Sequence, residues 1–170
     1  MKTILSFLSK FVLTEKIAYA HCDIPCGIYD PHQAQLAAHT VIRMTQLLTD
    51  LKRDDPSISS GQAETKAEHD IARITHVKEE HSNILEEELD TLRNDYFKEE
   101  HYKGYPNLRE LFVKTLKASA KARQGIDMES AQEALTGAQE IAEIFFKTKG
   151  VEPVRVKTVY PTGGEIVLHK

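Results

Sequence analysis

Apolar residues recur every three or four positions along four stretches of this chain, the period of a helix with one buried face. Leu36, Ile42, Leu47, Leu48 and Leu51 form the first, looser stripe. It opens at Asp30-Pro31, where aspartate can cap and proline is tolerated at the first helical position. It ends near Arg53, before the breaker Asp54-Asp55-Pro56. A longer stripe follows a cap at Ser59 or Ser60 and runs through Ala67, Ile71, Ile74, Val77, Ile84, Leu85, Leu89 and Leu92. Glu86-Glu87-Glu88 lies off that stripe and reads as a solvated face. Residues 94–106, NDYFKEEHYKGYP, read as an aromatic-rich turn. Leu108, Leu111, Phe112, Thr115 and Leu116 mark a third helix ending around Arg123 to Gly125. Asp127 caps a fourth, with Ala131, Leu135, Ala138, Ile141, Ala142 and Phe145 on one face and Gly150 as its stop.

Four amphipathic helices on short links predict an all-α, up-down four-helix bundle. Residues 151–170 break the pattern: VRVKTVY and EIVLH flank PTGG, the signature of a short C-terminal hairpin-like extension. A hairpin alone is marginal in water, so this one is expected to pack on the bundle or on a partner chain. The expected organisation is a leader over 1–20 removed by proteolysis, an N-terminal metal hook plus bundle over 21–150, and the extension over 151–170.

Composition agrees. With 170 residues, 41% hydrophobic and 28% charged, the chain suits one self-sufficient soluble domain. Its net charge is −4; the first twenty residues carry +2 (Lys2, Lys10 and Lys16 against Glu15), which leaves −6 on residues 21–170. An acidic body argues against nucleic acid as a partner, because that binding rests on neutralising phosphates. Nothing in the chain approaches the roughly 18 consecutive apolar residues of a membrane span. Residues 1–20 end in Ala-Tyr-Ala, but Lys10, Glu15 and Lys16 interrupt their apolar region. The expectation is a cytoplasmic protein whose leader is cut by a dedicated protease, with export of a signal-bearing chain as the alternative. Both put His21 first.

That new terminus carries the chemistry. The only cysteines, Cys22 and Cys26, sit in HCDIPCGIYDP, residues 21–31. A disulfide between them would close a very short loop, so metal binding or redox work is the better reading. Cutting after Ala20 would put a free amine, an imidazole, a peptide nitrogen and two thiols within six residues. Thiolates suit copper, zinc, iron–sulfur or nickel, and a planar nitrogen–sulfur set suits Cu(II) or Ni(II). The α-amine has a reference pKa of about 7.7–8.0, so a metal displaces its proton readily near neutral pH. Amine and Cys22 thiolate together hold the intervening amide against the metal, and the His21 imidazole can add an axial bond. Pro25 restricts the backbone and Gly27 permits conformations closed to other residues, so the hook reads as built to turn.

HCDIPCGIYDP resembles the hook of the nickel superoxide dismutase family, His-Cys-Asp-x-Pro-Cys-Gly-x-Tyr-Asp-Pro, at every fixed position. The resemblance extends through the helical layout, Asp95-Tyr96-Phe97-Lys98 and Tyr105-Pro106, over roughly residues 21–149. It implies a homohexameric four-helix bundle with one nickel ion per subunit, cycling between two and three plus as two superoxide anions become dioxygen and hydrogen peroxide. The implied ligands are the amine and imidazole of His21, the amide and thiolate of Cys22 and the thiolate of Cys26. Asp23 would help hold the hook, and Tyr29 and Tyr96 would line the pocket as catalytic residues. The chain departs where the family has a Glu on the first helix and an Arg on the second to steady the imidazole: by spacing these fall at Ala37 and His81, with Glu79 or Glu80 as substitutes.

Other readings stand beside these. Tyr29 and Tyr96 could be core aromatics. His32, His39, His69, His76, His101 and His169 read as surface or helix-face residues, and Lys98 and Lys103 as a positive funnel for a small anion or as ordinary solvated lysines. Two rival functions use the same residues: a non-catalytic nickel or copper carrier, and a metal-free dithiol peroxidase or redox sensor.

Overall fold

The computed structural model describes residues 26–51 and 60–170. Helix α1 (His32–Asp50) and helix α2 (Ser60–Thr91) lie against each other. One wide π turn, Leu92–Tyr96, ends α2. Then come the short α3 (Glu99–Gly104), α4 (Leu108–Gln124) and α5 (Met128–Thr148). The packing sequence α1–α2–α4–α5 closes back onto α1, the up-down arrangement read from the sequence. Strands β1 (Pro153–Lys157) and β2 (Glu165–His169) pair antiparallel, with Val154 opposite Leu168 and Val156 opposite Ile166.

Two of the caps read from the sequence form; Ser60 is the first residue of α2, and Ser59 lies outside the described residues. Asp30 accepts the His32 N–H at 2.7 Å, and Asp127 accepts the Ser130 N–H at 2.9 Å. That bond and Lys121 hold the Asp127 carboxyl down to about 2. Its contribution is lost only as pH falls from the ordinary carboxylate range toward that value. Gly150, at φ 75°, ends α5.

The buried faces differ from the leucine stripes in detail. On α1 the buried apolar residues are Ala34, Ala37, Ala38, Val41 and Ile42, while Leu36, Leu47 and Leu48 stand on its shoulders. Ala131, Ala134, Ala138 and Ala142 of α5 are likewise covered. Small side chains let these helix axes approach closely, so alanines take the seam and leucines flank it. Gly137 does the same against α4: a Cβ there would lie within 2.9 Å of the Thr115 Cβ. Helix α2, with 32 residues and a length of about 48 Å, outruns the 19-residue α1. Its Ile71, Ile74 and Val77 are therefore only half-buried, whereas Leu85, Leu89 and Leu92 are core.

Three polar residues also escape the pattern. Lys78 is 2% exposed; its ammonium donates to the carbonyls of Ala122, at 2.9 Å, and Gly125, closing the end of α4. Burial lowers its pKa. Glu86 faces α4, where it accepts from Ser119 at 3.1 Å and pairs with Arg123, so only part of the Glu86-Glu87-Glu88 run is solvated. His39, read as a surface residue, is buried at 4% exposure beneath the hairpin. The 94–106 segment holds α3 as well as its turns.

The hairpin docks on the bundle. The Thr158–Gly164 and Lys170–Glu152 backbone bonds fix which residues face each other through hydrogen bonds, so Glu165, Val167 and His169 turn their backbone groups away from β1. Gln35 of α1, fully buried, accepts the Val167 N–H at 2.7 Å and donates to the Val167 carbonyl at 3.1 Å. Gln139 of α5 donates to the Glu165 carbonyl at 2.6 Å, and Arg155 of β1 reaches Gln139 and Glu143. Ile166 and Val167 are buried.

Candidate metal centre

Cys26 and Gly27 form the described end of the hook; His21, Cys22, Asp23 and Pro25 lie outside the described residues. Cys26 is exposed, with its sulfur 4.0 Å from the Ile28 carbonyl oxygen. Gly27 has φ 72°, the left-handed conformation that a β-carbon penalises, so the chain turns here because the residue is glycine. Ile28 is exposed and Tyr29 is half-buried, and Pro31 is buried at the start of α1. Among the described residues no three His, Cys, Asp or Glu converge to hold a metal.

Tyr29 meets Tyr96, as the two roles require. Their ring centroids are 5.6 Å apart and tilted at 54°. The π turn delivers Tyr96: a wide turn at the end of a helix re-aims its last side chain, and here it points toward α5. Tyr96 packs on Phe145 (4.6 Å between centroids) and Phe97 (4.9 Å), and stacks on His101 at 5.5 Å with 9° between the planes. The Thr148 hydroxyl donates to the Phe145 carbonyl at 2.7 Å, so the Tyr96 hydroxyl, 2.7 Å from Thr148, donates its own proton there. The Lys149 ammonium sits 4.8 Å from the Tyr96 ring centroid and 5.6 Å from that of Phe145.

Thr148, Lys149 and His101 were not singled out for this site in the sequence. Thr148 is 52 positions from Tyr96, and no periodicity carries that distance. Lys98 and Lys103 are both exposed. The two departing positions share one place: Ala37 and His81 line a cleft of about 410 Å³ with His39, Arg43 and the hairpin residues Tyr160 and Thr162. His81 Nδ1 lies 3.0 Å from the carbonyl of Val77, one turn back on its own helix. Glu79 and Glu80 are exposed.

A donor set of amine, amide nitrogen and two thiolates suits nickel, and the described part of it, an exposed Cys26 on a tight glycine turn, fits that use. Residues 16–149 match the family described as nickel-containing superoxide dismutase. The chain is 34% identical to superoxide dismutase [Ni] of Streptomyces coelicolor over 142 residues, covering 84% of this chain and 98% of the relative. The corresponding protein of Streptomyces seoulensis is 33% identical over the same extent. The native structure of a nickel superoxide dismutase superposes with a TM-score of 0.63 at 35% identity, covering 76% of this chain and 99% of that one. A structure of the nickel enzyme with ligation corresponding to the oxidised state gives 0.64 at 34%, with the same coverage. Hook motif, bundle and these likenesses converge: the chain belongs to the nickel-containing superoxide dismutase family.

Proposed function

We propose that His21, Cys22 and Cys26 hold the nickel with which this chain dismutes superoxide, and that they do so only after cleavage behind Ala20. The dismutation itself follows from family membership. When bound, nickel supplies one-electron chemistry between its two-plus and three-plus states, by which two superoxide anions and two protons give dioxygen and hydrogen peroxide. The protein provides five donors: the His21 amine and imidazole, the Cys22 amide nitrogen and thiolate, and the Cys26 thiolate. Asp23, Pro25 and Gly27 shape the turn that brings Cys26 back to the other four.

The observation that carries this reading is the placement of Cys26. It is exposed, next to a left-handed glycine, and three residues before a tyrosine packed on Tyr96. Tyr29 and Tyr96, packed on each other, would line the pocket of the bound nickel. Because the Tyr96 proton is engaged by Thr148, Tyr96 works as a positioned surface of that pocket. A metal-free dithiol enzyme would need no cut before His21, and a carrier using the same hook would bind metal without removing superoxide catalytically.

One nickel per subunit in a homohexamer completes the reading. Half-exposed Met44, Leu47, Ile74 and Val77, between α1 and the overhanging part of α2, give such an assembly apolar surface to cover. A dedicated protease and a cytoplasmic site follow from the charges Lys10, Glu15 and Lys16 in the leader.

The test compares nickel-loaded protein beginning at His21 with protein carrying one extra residue ahead of it. Stopped-flow decay of superoxide is expected to show turnover only in the first, while circular dichroism shows the same helix content in both. Equal turnover in the extended protein would refute the ligand assignment. Native mass spectrometry of the first sample reads metal stoichiometry and subunit number together.

A further inference from the structure

The family match spans residues 16–149 and ends before the hairpin begins. The hairpin is thus an addition to the matched unit. We propose that His39 is an acid-sensitive latch for this addition: as a neutral imidazole it clamps the hairpin turn to α1, and on taking a proton it lets the turn go.

The geometry fixes the tautomer of the neutral ring. His39 Nε2 lies 3.0 Å from the Glu165 carbonyl oxygen, which only accepts, so this nitrogen carries the hydrogen. Nδ1, 2.9 Å from the Thr162 hydroxyl, is then the acceptor. Tyr160 sets its ring at 75° to the imidazole with centroids 5.1 Å apart, covering it from the hairpin side. Both nitrogens bind residues of the extension, so a single side chain of α1 holds the turn at Thr162 and the start of β2 at Glu165.

A second proton on this ring has no answer in its surroundings. The Thr162 hydroxyl can reverse, turning its own proton to the Gly163 carbonyl 3.3 Å away, so the hydrogen bond survives. The charge is what stays uncompensated. Among the described residues lining the cleft beside His39 none is acidic. From α1 the titratable or charged neighbour is Arg43, from α2 it is His81, and from the hairpin it is Tyr160. Glu165 presents its carbonyl. From α5 comes neutral Gln139, and Glu143 is tied to Arg155. Burial accordingly lowers the His39 pKa from the ordinary 6.5, against a smaller raising effect of the Glu165 carbonyl.

The sign follows. The undocked histidine binds a proton near its ordinary value, the docked one only at lower pH. Docking is therefore complete above about 6.5 and weakens as pH falls toward the depressed value. One proton limits the effect to about tenfold per pH unit.

Hydrogen exchange on the full mature protein with its nickel, corrected for the intrinsic pH dependence of amide exchange, tests this between pH 7.5 and 5. Protection of residues 165–169 is expected to fall by several-fold below pH 6.5 while α4 and α5 stay protected. His39→Gln, which can both donate to the Glu165 carbonyl and accept from Thr162, is expected to keep the hairpin docked with the pH dependence gone. Unchanged protection in the natural protein, or the same pH dependence in H39Q, would overturn the latch. If H39Q fails to dock at any pH, NMR titration of the His39 ring in the natural protein decides: a value at or above 6.5 overturns the proposal, and a lower one accompanied by hairpin opening supports it.

Discussion

Tyr96 shows how much one residue depends on partners far along the chain. The family resemblance implies a pocket role for both Tyr29 and Tyr96, and the two rings lie 5.6 Å apart between centroids. The hydroxyl partner Thr148 and the cation Lys149 come from the last turn of another helix, and nothing local in their sequence announces them. Lys149 matters because superoxide is an anion and the chain is net negative. An ammonium 4.8 Å from the Tyr96 ring centroid supplies local positive potential. Lys149→Gln is expected to lower kcat/KM about two- to fivefold and to flatten its dependence on ionic strength, with Lys149→Arg restoring both. Stopped-flow measurement at low and high salt checks this; an unchanged salt slope in K149Q would remove the lysine from the approach path. Buried Lys78 and His39 were illegible for a similar reason, since each looks polar in sequence and is buried only because carbonyls from distant elements receive it.

Among the elements, existence was readable and the buried face was not. Period and caps located α1, α2, α4 and α5, and Gly150 ended the last of them. Counting leucines misjudged which side of α1 faces inward, because close helix approach favours alanine over bulk. Gly137 has the same origin: α5 touches Thr115 of α4 where its own side chain is missing. Gly137→Ala would gain helix propensity, worth about 1 kcal/mol, but must push Thr115 aside. Overpacking of this kind typically costs about 1–3 kcal/mol, so a net loss of stability is expected in urea unfolding. A G137A protein more stable than the natural one would show that Thr115 yields freely. The π turn was not predicted either, because its extra residue per turn leaves no mark on an apolar stripe that has already ended at Leu92.

For the molecule as a whole, the family match covers the four-helix unit and stops before the hairpin. A chain ending at Gly150 is expected to keep its helical circular dichroism and bound nickel, because the family match stops at residue 149. It should melt at a lower temperature, since Gln35 and the surfaces covered by Ile166 and Val167 would be opened to water. Thermal denaturation followed at 222 nm measures both, and loss of the helical signal at room temperature would make the hairpin integral to the fold.

The two edges of that small sheet are treated differently. The β2 edge is occupied at Glu165 and Val167 by amide and imidazole side chains of the helices. The outward-facing positions of β1 are Pro153, which has no N–H to offer, Arg155, whose side chain is bound to α5, and Lys157, which carries a charge. Such an edge is a poor template for a neighbouring strand. Crowded together, these molecules therefore have no easy route to fibrillar stacking through their only extended segment among the described residues, and the chain could acquire a ribbon without becoming a seed for amyloid.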